Sequence, residues 1–200
     1  MSNFDLVKRL QKATQVDGTN SSDFDLNPGI VLANDRVLRS AAVLIAVSTF
    51  NGRPELILTK RASSLKHHPG QIAFPGGKQD KEDSDLAQTA LREAREEISL
   101  PPEYVKILGE LPDHETVTGF CVTPIVGHVE HEFDGVPETG EVEEVFAVPL
   151  DHVLNPRNYQ IQYRYWRGVK RKYYAIPYGP YYIWGATARI LRGLADRVDQ

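Results

Sequence analysis

Residues 76 to 100 constrain the fold most, because two adjacent glycines lead through a polar loop into an acidic, amphipathic run. That run reads Arg92-Glu93-Ala94-Arg95-Glu96-Glu97-Ile98-Ser99-Leu100. Leu86, Ala90, Ala94 and Ile98 step by four, which predicts a helix from Asp85 to about Ile98 with these residues as its buried stripe and Ser84 as its N-cap. At about 100° per residue, Glu93 and Glu97 lie about 40° apart, and Glu96 lies about 60° to the other side of Glu93. The three carboxylates can therefore converge. Clustered carboxylates repel one another and raise one another's pKa, so a bound cation stabilises such a site, and hard oxygen ligands select Mg²⁺ or Mn²⁺. The competing interpretation is a solvated helix face, since charge runs of this kind are common on surfaces.

The rest of the chain supplies strands around that helix. Phe4, Val7, Leu10 and Ala13 predict a short amphipathic helix over 3–14, followed by a polar loop from Asp17 to Gly29. Ala41 to Ser48 and Glu55 to Lys60 are β-rich and joined by Asn51-Gly52-Arg53-Pro54, which predicts a hairpin. Residues 66–83 read as a long irregular loop. Further strands are expected at Val105–Glu110, Val122–Val129, Glu144–Val148, Gln160–Trp166 and Lys170–Ile176. A closing helix, Ala186–Val198, would bury Ile190, Leu191, Leu194 and Val198. Helices before, between and after the strands imply an α/β fold, a mixed β-sheet covered by helices. We expect one domain over 1–200, with residues 1–29 as an N-terminal helix and loop and a core of about 40–195.

Composition narrows the function. With 23 basic and 27 acidic side chains, a formal charge of −4, the chain as a whole lacks the positive field that holds a nucleic-acid backbone, so no nucleic-acid partner is expected. Cys121 is the only cysteine, which suits a reducing cytoplasm and excludes a Cys-based zinc site. No window approaches the roughly 18 apolar residues of a membrane span, and Met1 to Asp17 lacks a signal-peptide stretch. The expectation is a cytoplasmic protein with no membrane partner.

Gly77 and the run 92–100 together resemble the Nudix box, the metal-binding signature of the Nudix hydrolases, in which Gly, five residues, Glu and seven residues precede Arg-Glu-apolar-x-Glu-Glu-x-Gly-apolar. The resemblance implies a loop, helix and loop on an α/β/α sandwich that cleaves a diphosphate bond with Mg²⁺ or Mn²⁺. It also implies Glu93, Glu96 and Glu97 as metal ligands and Arg92 as the brace of the loop. Fourteen residues rather than thirteen separate Gly77 from Arg92, Asp83 stands roughly at the first Glu, and Ser99 replaces the last Gly. The partner of Arg92 is left open between Asp80 and Asp83. Glu141, which follows Gly140 in the acidic loop 138–144, is similar to a fourth ligand in some family members; whether Glu96 or Glu141 is the general base is also open.

A second resemblance concerns the substrate. Ile57-Leu58-Thr59, Lys66, Gly70 and Phe74-Pro75-Gly76-Gly77 resemble the signature that precedes the box in coenzyme A pyrophosphatases, with Lys66 where that signature has Arg. Thr118-Gly119-Phe120, Thr123-Pro124 and Ile183-Trp184-Gly185-Ala186-Thr187-Ala188 are similar to the same subfamily. This implies hydrolysis of coenzyme A or a derivative, with Arg61, Lys66, Gly70, Phe74, Gly76 and Gly77 as substrate contacts. His67 and His68 are further candidate cations but read first as solvated loop residues. The alternatives are ADP-ribose, NADH or dinucleoside polyphosphates as substrate, or a catalytically silent nucleotide-binding module. A homodimer is an open expectation.

Overall fold

In the computed structural model the described residues are 3–30, 32, 35–50, 52–166 and 168–198. Asn51, the first residue of the predicted turn, lies outside them, as does the side chain of Phe4. The first helix, α1 (Asn3–Gln15), buries Leu6, Leu10 and Ala13, with Val7 packed partly against them. Among the described side chains the buried stripe is Leu6, Leu10 and Ala13, an i, i+4, i+7 spacing, and the expected helix is one residue longer.

Two sheets follow. The larger holds nine strands among the described residues: β1 (Ser21–Ser22), β2 (Arg39–Ser48), β3 (Glu55–Arg61), β4 (Ile72–Ala73), β5 (Gly76–Lys78), β6 (Val105–Glu110), β7 (His114–Glu115), β8 (Phe120–Val129) and β9 (Val142–Pro149). It is mixed: β2 runs parallel to β8 from Arg39 opposite Phe120 to Val47 opposite His128, while β5, β3 and β9 join by antiparallel pairs. The predicted hairpin of β2 and β3 is real but short, pairing only Val47 with Leu56 and Ser48 with Glu55. Beyond it β2 turns its edge to β5, and β3 pairs β9 over its length. The smaller sheet, β10 (Gln160–Trp166), β11 (Val169–Tyr178) and β12 (Tyr181–Trp184), is antiparallel.

Three layers result. Alternate residues of β2 point to opposite sides: Ala41, Ile45 and Val47 join α1 and the last helix, α4 (Ala186–Val198), whereas Ala42, Leu44 and Ala46 join α2 (Leu86–Ile98). The short α3 (Leu150–Leu154) adds Val153 to the first cluster. This is the α/β/α arrangement with a mixed sheet that the sequence implies. No helix among the described residues is long and apolar enough to cross a membrane.

Loop 17–29 contains β1, which the sequence did not announce. It is pinned to β7 through a buried His114, whose Nδ1 lies 2.9 Å from Ser21 Oγ and whose Nε2 lies 3.2 Å from Asp23 Oδ1. Likewise the "irregular" loop 66–83 contains β4 and β5, too short and too glycine-rich for a period-2 pattern to show.

Candidate active site

The N-cap of α2 is Asp85 rather than Ser84: its carboxylate accepts from the Gln88 amide at 2.8 Å, and helical residues begin at Leu86. Ala90, Ala94 and Ile98 are fully buried against the sheet, but Leu86 only partly, and Thr89 and Glu97 complete the covered face. Two alanines at the contact bring the helix axis close to β2. That proximity draws Glu97 into the interior, where its exposure is 5%.

The preceding glycines make room for this. A Cβ on Gly76, which has a φ of 156°, would come within 2.4 Å of the Ala42 carbonyl oxygen, and one on Gly77 within 2.5 Å of Glu93 Oε1. Strand β5 can therefore pass directly beneath the glutamates. The Gly76 amide donates to Glu97 Oε2 at 3.1 Å, and the Gly70 amide to the Arg61 carbonyl at 3.1 Å. Of the three glycines named as substrate contacts, Gly70 and Gly76 thus have their amides engaged within the protein.

Arg92 ties the loop to the helix. Its partner is Asp83: Nε donates to Oδ1 and Nη2 to Oδ2, each at 3.0 Å, whereas Asp80 stands off at 3.8 Å. Nη2 also donates to the Lys78 carbonyl at 3.1 Å, and Nη1 reaches Glu93 at 2.8 Å and Glu96 at 3.1 Å. The guanidinium holds the Asp83 carboxyl far below the usual carboxylate range, and Asp83 in return raises Arg92. Asp83 is further fixed by the Thr89 hydroxyl at 2.9 Å and the Asp80 amide at 2.9 Å.

The acids differ in environment. Burial pushes Glu97 up to about 7, helped by the charges of Glu93 and Glu141 and opposed by the Gly76 hydrogen bond and by Arg61. Burial also raises Glu93, against the pull of Arg92. Glu96 is 59% exposed on its side chain. Glu141 stands exposed on the loop before β9, near enough that its charge acts on both Glu93 and Glu97. That loop is fastened to α2 by the Glu138 amide on the Glu97 carbonyl at 2.9 Å and to the end of β3 by the Ala62 amide on the Glu141 carbonyl at 2.8 Å. Nothing in the sequence signals either tie, since both use backbone.

The donor set fits a hard divalent ion: oxygen ligands only, one of them a buried acid whose ionised form lacks enough nearby positive charge. As the side chains stand, no group of three or more His, Cys, Asp or Glu among the described residues is gathered to hold an ion. The guanidinium of Arg92 occupies the gap between Glu93 and Glu96.

Of the expected substrate contacts, Arg61 ends β3 and acts on Glu97, with its Nε buried and unpartnered among the described residues. Lys66 is exposed in the loop that follows, beside His67 and His68, and Gly70 closes that loop with a φ of 69°. Phe74 is 4% exposed and belongs to the core.

The family description for the NUDIX domain matches residues 38–167. The chain belongs to the Nudix family. It is 44% identical over 160 residues to the uncharacterized Nudix hydrolase NudL of Citrobacter koseri, covering 80% of this chain and 83% of that one. The NudL protein of Enterobacter sp. is 45% identical over the same shares. Among solved structures, the MutT protein from Methanosarcina mazei superposes with a TM-score of 0.52 at 19% identity, covering 84% of this chain and 99% of that chain, a likeness of fold. The left-handed Ser99 at the C-cap of α2, with a φ of 59°, explains why the Nudix box has glycine there.

Proposed function

We propose that this Nudix protein hydrolyses the diphosphate bond of coenzyme A or a derivative, releasing 3′,5′-ADP and 4′-phosphopantetheine or its acyl form. The observation that carries the hydrolase reading is the buried Glu97, set beside Glu93 and facing Glu141 from a separate loop. Burying an acid among like charges is unfavourable unless a cation compensates it. Glu93, Glu96, Glu97 and Glu141 would hold Mg²⁺ or Mn²⁺. Bound there, the ion would neutralise the diphosphate oxygens and acidify water.

The chain's own groups do the rest. Arg92 keeps the loop fixed to the helix through Asp83, so the glutamates start from a defined position. Arg61 presents a guanidinium beside Glu97, a planar donor group that suits phosphate oxygens. Lys66, exposed on the adjoining loop and without an ion-pair partner among the described residues, suits the substrate's further phosphate. As Lys it offers a point charge rather than a bidentate fork. For the proton, Glu141 is the better base by position, because it is exposed and on a different element; Glu96 is engaged by Arg92.

Support for coenzyme A comes from the signature of residues 57–77 beside the box. The test is a panel of coenzyme A, its oxidised and acyl forms, ADP-ribose, NADH and dinucleoside polyphosphates with Mg²⁺ or Mn²⁺, products separated by chromatography. Coenzyme A should be cleaved fastest. Faster turnover of ADP-ribose would overturn the substrate assignment, and binding without cleavage would overturn the enzyme assignment.

A further inference from the structure

Charge along the chain is segregated beyond what the active site, which draws on Glu141 alone from the acidic stretch, makes use of. From residue 157 to 172 there are six Lys or Arg and no Asp or Glu, while from 130 to 144 there are seven Asp or Glu and no Lys or Arg. The first stretch forms β10 and the start of β11, a two-stranded ribbon that runs on beyond the strand β12, which pairs β11 only from Ala175 to Tyr178.

The ribbon presents apolar surface as well as cations. Ile161, Tyr163 and Tyr165 are 56%, 55% and 71% exposed and lie on one face of β10, opposite Tyr174, Lys172 and Lys170 of β11. Lys170 Nζ sits 3.8 Å over the Tyr163 ring, and on the other face the Arg164 guanidinium sits 4.5 Å over Trp184. Among the described residues neither cation has a carboxylate within ion-pairing distance. Exposed aromatic rings with Arg164 beside them are residue types enriched at interfaces, and the unneutralised cations around them call for an acidic partner.

The acidic stretch is its complement. Glu130, Glu132, Asp134 and Glu138 are all exposed, and Val136 among them is 55% exposed. We propose that a second copy of this chain is the ribbon's partner: the ribbon of each copy docks on the 130–138 loop of the other, giving a dimer with two equivalent contacts. Pairing of ribbon with ribbon is the inferior solution, because it would bring together two basic stretches that contain no carboxylate. A polyanion is also less well matched, since the face of Tyr163 is already covered by Lys170 and Tyr163 meets Tyr165 at 87°, edge to face, which offers no stacking platform for bases.

Sedimentation of the full chain at micromolar concentration and low salt should show a dimer that dissociates as salt is raised towards about 1 M. The double variant Arg164→Glu, Lys170→Glu and the triple variant Glu130→Lys, Glu132→Lys, Asp134→Lys should each self-associate about tenfold or more weakly. Mixed together they should form a heterodimer, because one contact is then native and the other has its charges exchanged. That rescue also shows that both variants are folded. A monomeric wild type, a dimer indifferent to both variants, or variants that stay apart on mixing would overturn the proposal. So would a monomer that binds single-stranded oligonucleotides or anionic vesicles through the same ribbon.

Discussion

Helices α2 and α4 have the same length, thirteen residues each, and lie on opposite sides of one sheet, yet they are built for different ends. Helix α4 buries Ile190, Leu191, Leu194 and Val198 among the large apolar residues of the main core. Helix α2 buries Ala90, Ala94, Ile98 and, with them, a carboxylate. Each fully buried Leu or Ile contributes about 1.5–3 kcal/mol, whereas an alanine contributes far less and a buried acid opposes folding. The sheet is thus stabilised chiefly from the α4 side, and that surplus lets the α2 side hold unfavourable groups where chemistry needs them.

The sharpest way to break this contrast is a pair of substitutions. Glu97→Gln should lower turnover on the order of 10³-fold, about 4 kcal/mol in barrier height, with the fold retained. Leu191→Ala should instead remove 2–5 kcal/mol of stability, read by denaturant unfolding, with turnover per folded molecule changed by less than about twofold. If the two effects were exchanged, the division of labour would be wrong.

A pH series sharpens it further. Glu97 titrates near 7 in the folded protein and near 4.5 by its ordinary value, so between those limits the folded state holds a proton that the unfolded state has lost. Stability should therefore fall as pH rises from about 4.5 to 7, by up to about 3 kcal/mol from this group, and Glu97→Gln should abolish that slope. Mg²⁺ should raise the melting temperature of the wild type at neutral pH and leave that of Glu97→Gln unmoved. An equal rise in both would detach the ion from this acid.

Arg92→Ala leaves Asp83, 6% exposed, without its fork, and should cost about 2 kcal/mol. Because Asp83 is held below its ordinary 3.8, the gap between wild type and variant should close below about pH 4, as the unfolded-state acid takes up its proton. The smallest effect is expected at Ser99→Gly, which relieves the left-handed C-cap and should add about 0.5–1 kcal/mol. No gain there would mean that the Ser99 hydroxyl, 3.3 Å from the Val136 carbonyl, offsets the strain.

What could be read beforehand follows the strength of the local pattern. Helix α4, strand β6 and strand β10 appear at the boundaries predicted for them, and the four-residue apolar step locates α2 to within one residue. Strand β4 was hidden because two residues are too short to show alternation, and β5 because Gly76 and Gly77 carry no side chains to alternate. β12 was hidden because Tyr181–Trp184 is a run of bulky residues on both faces. The parallel pairing of β2 with β8 joins residues about 80 apart, a contact no local signal encodes. At the site, residue types were legible and their states were not. Asp80 and Asp83 are chemically identical, and only the fold decides which meets Arg92. Likewise Glu96 and Glu97 are neighbours in sequence, but the close approach of α2 to the sheet buries one and leaves the other in solvent.

Strand β2 has one more implication. It is a party wall, its odd positions from 41 to 47 lining one compartment and its even positions the other. Adding a single residue within that span would transpose the linings, presenting small alanines where α1 and α4 require bulk and isoleucine where α2 must come close. The compartment of the candidate site and the structural keel are therefore inseparable heirs of one seven-residue stretch, which can drift in composition but not in length.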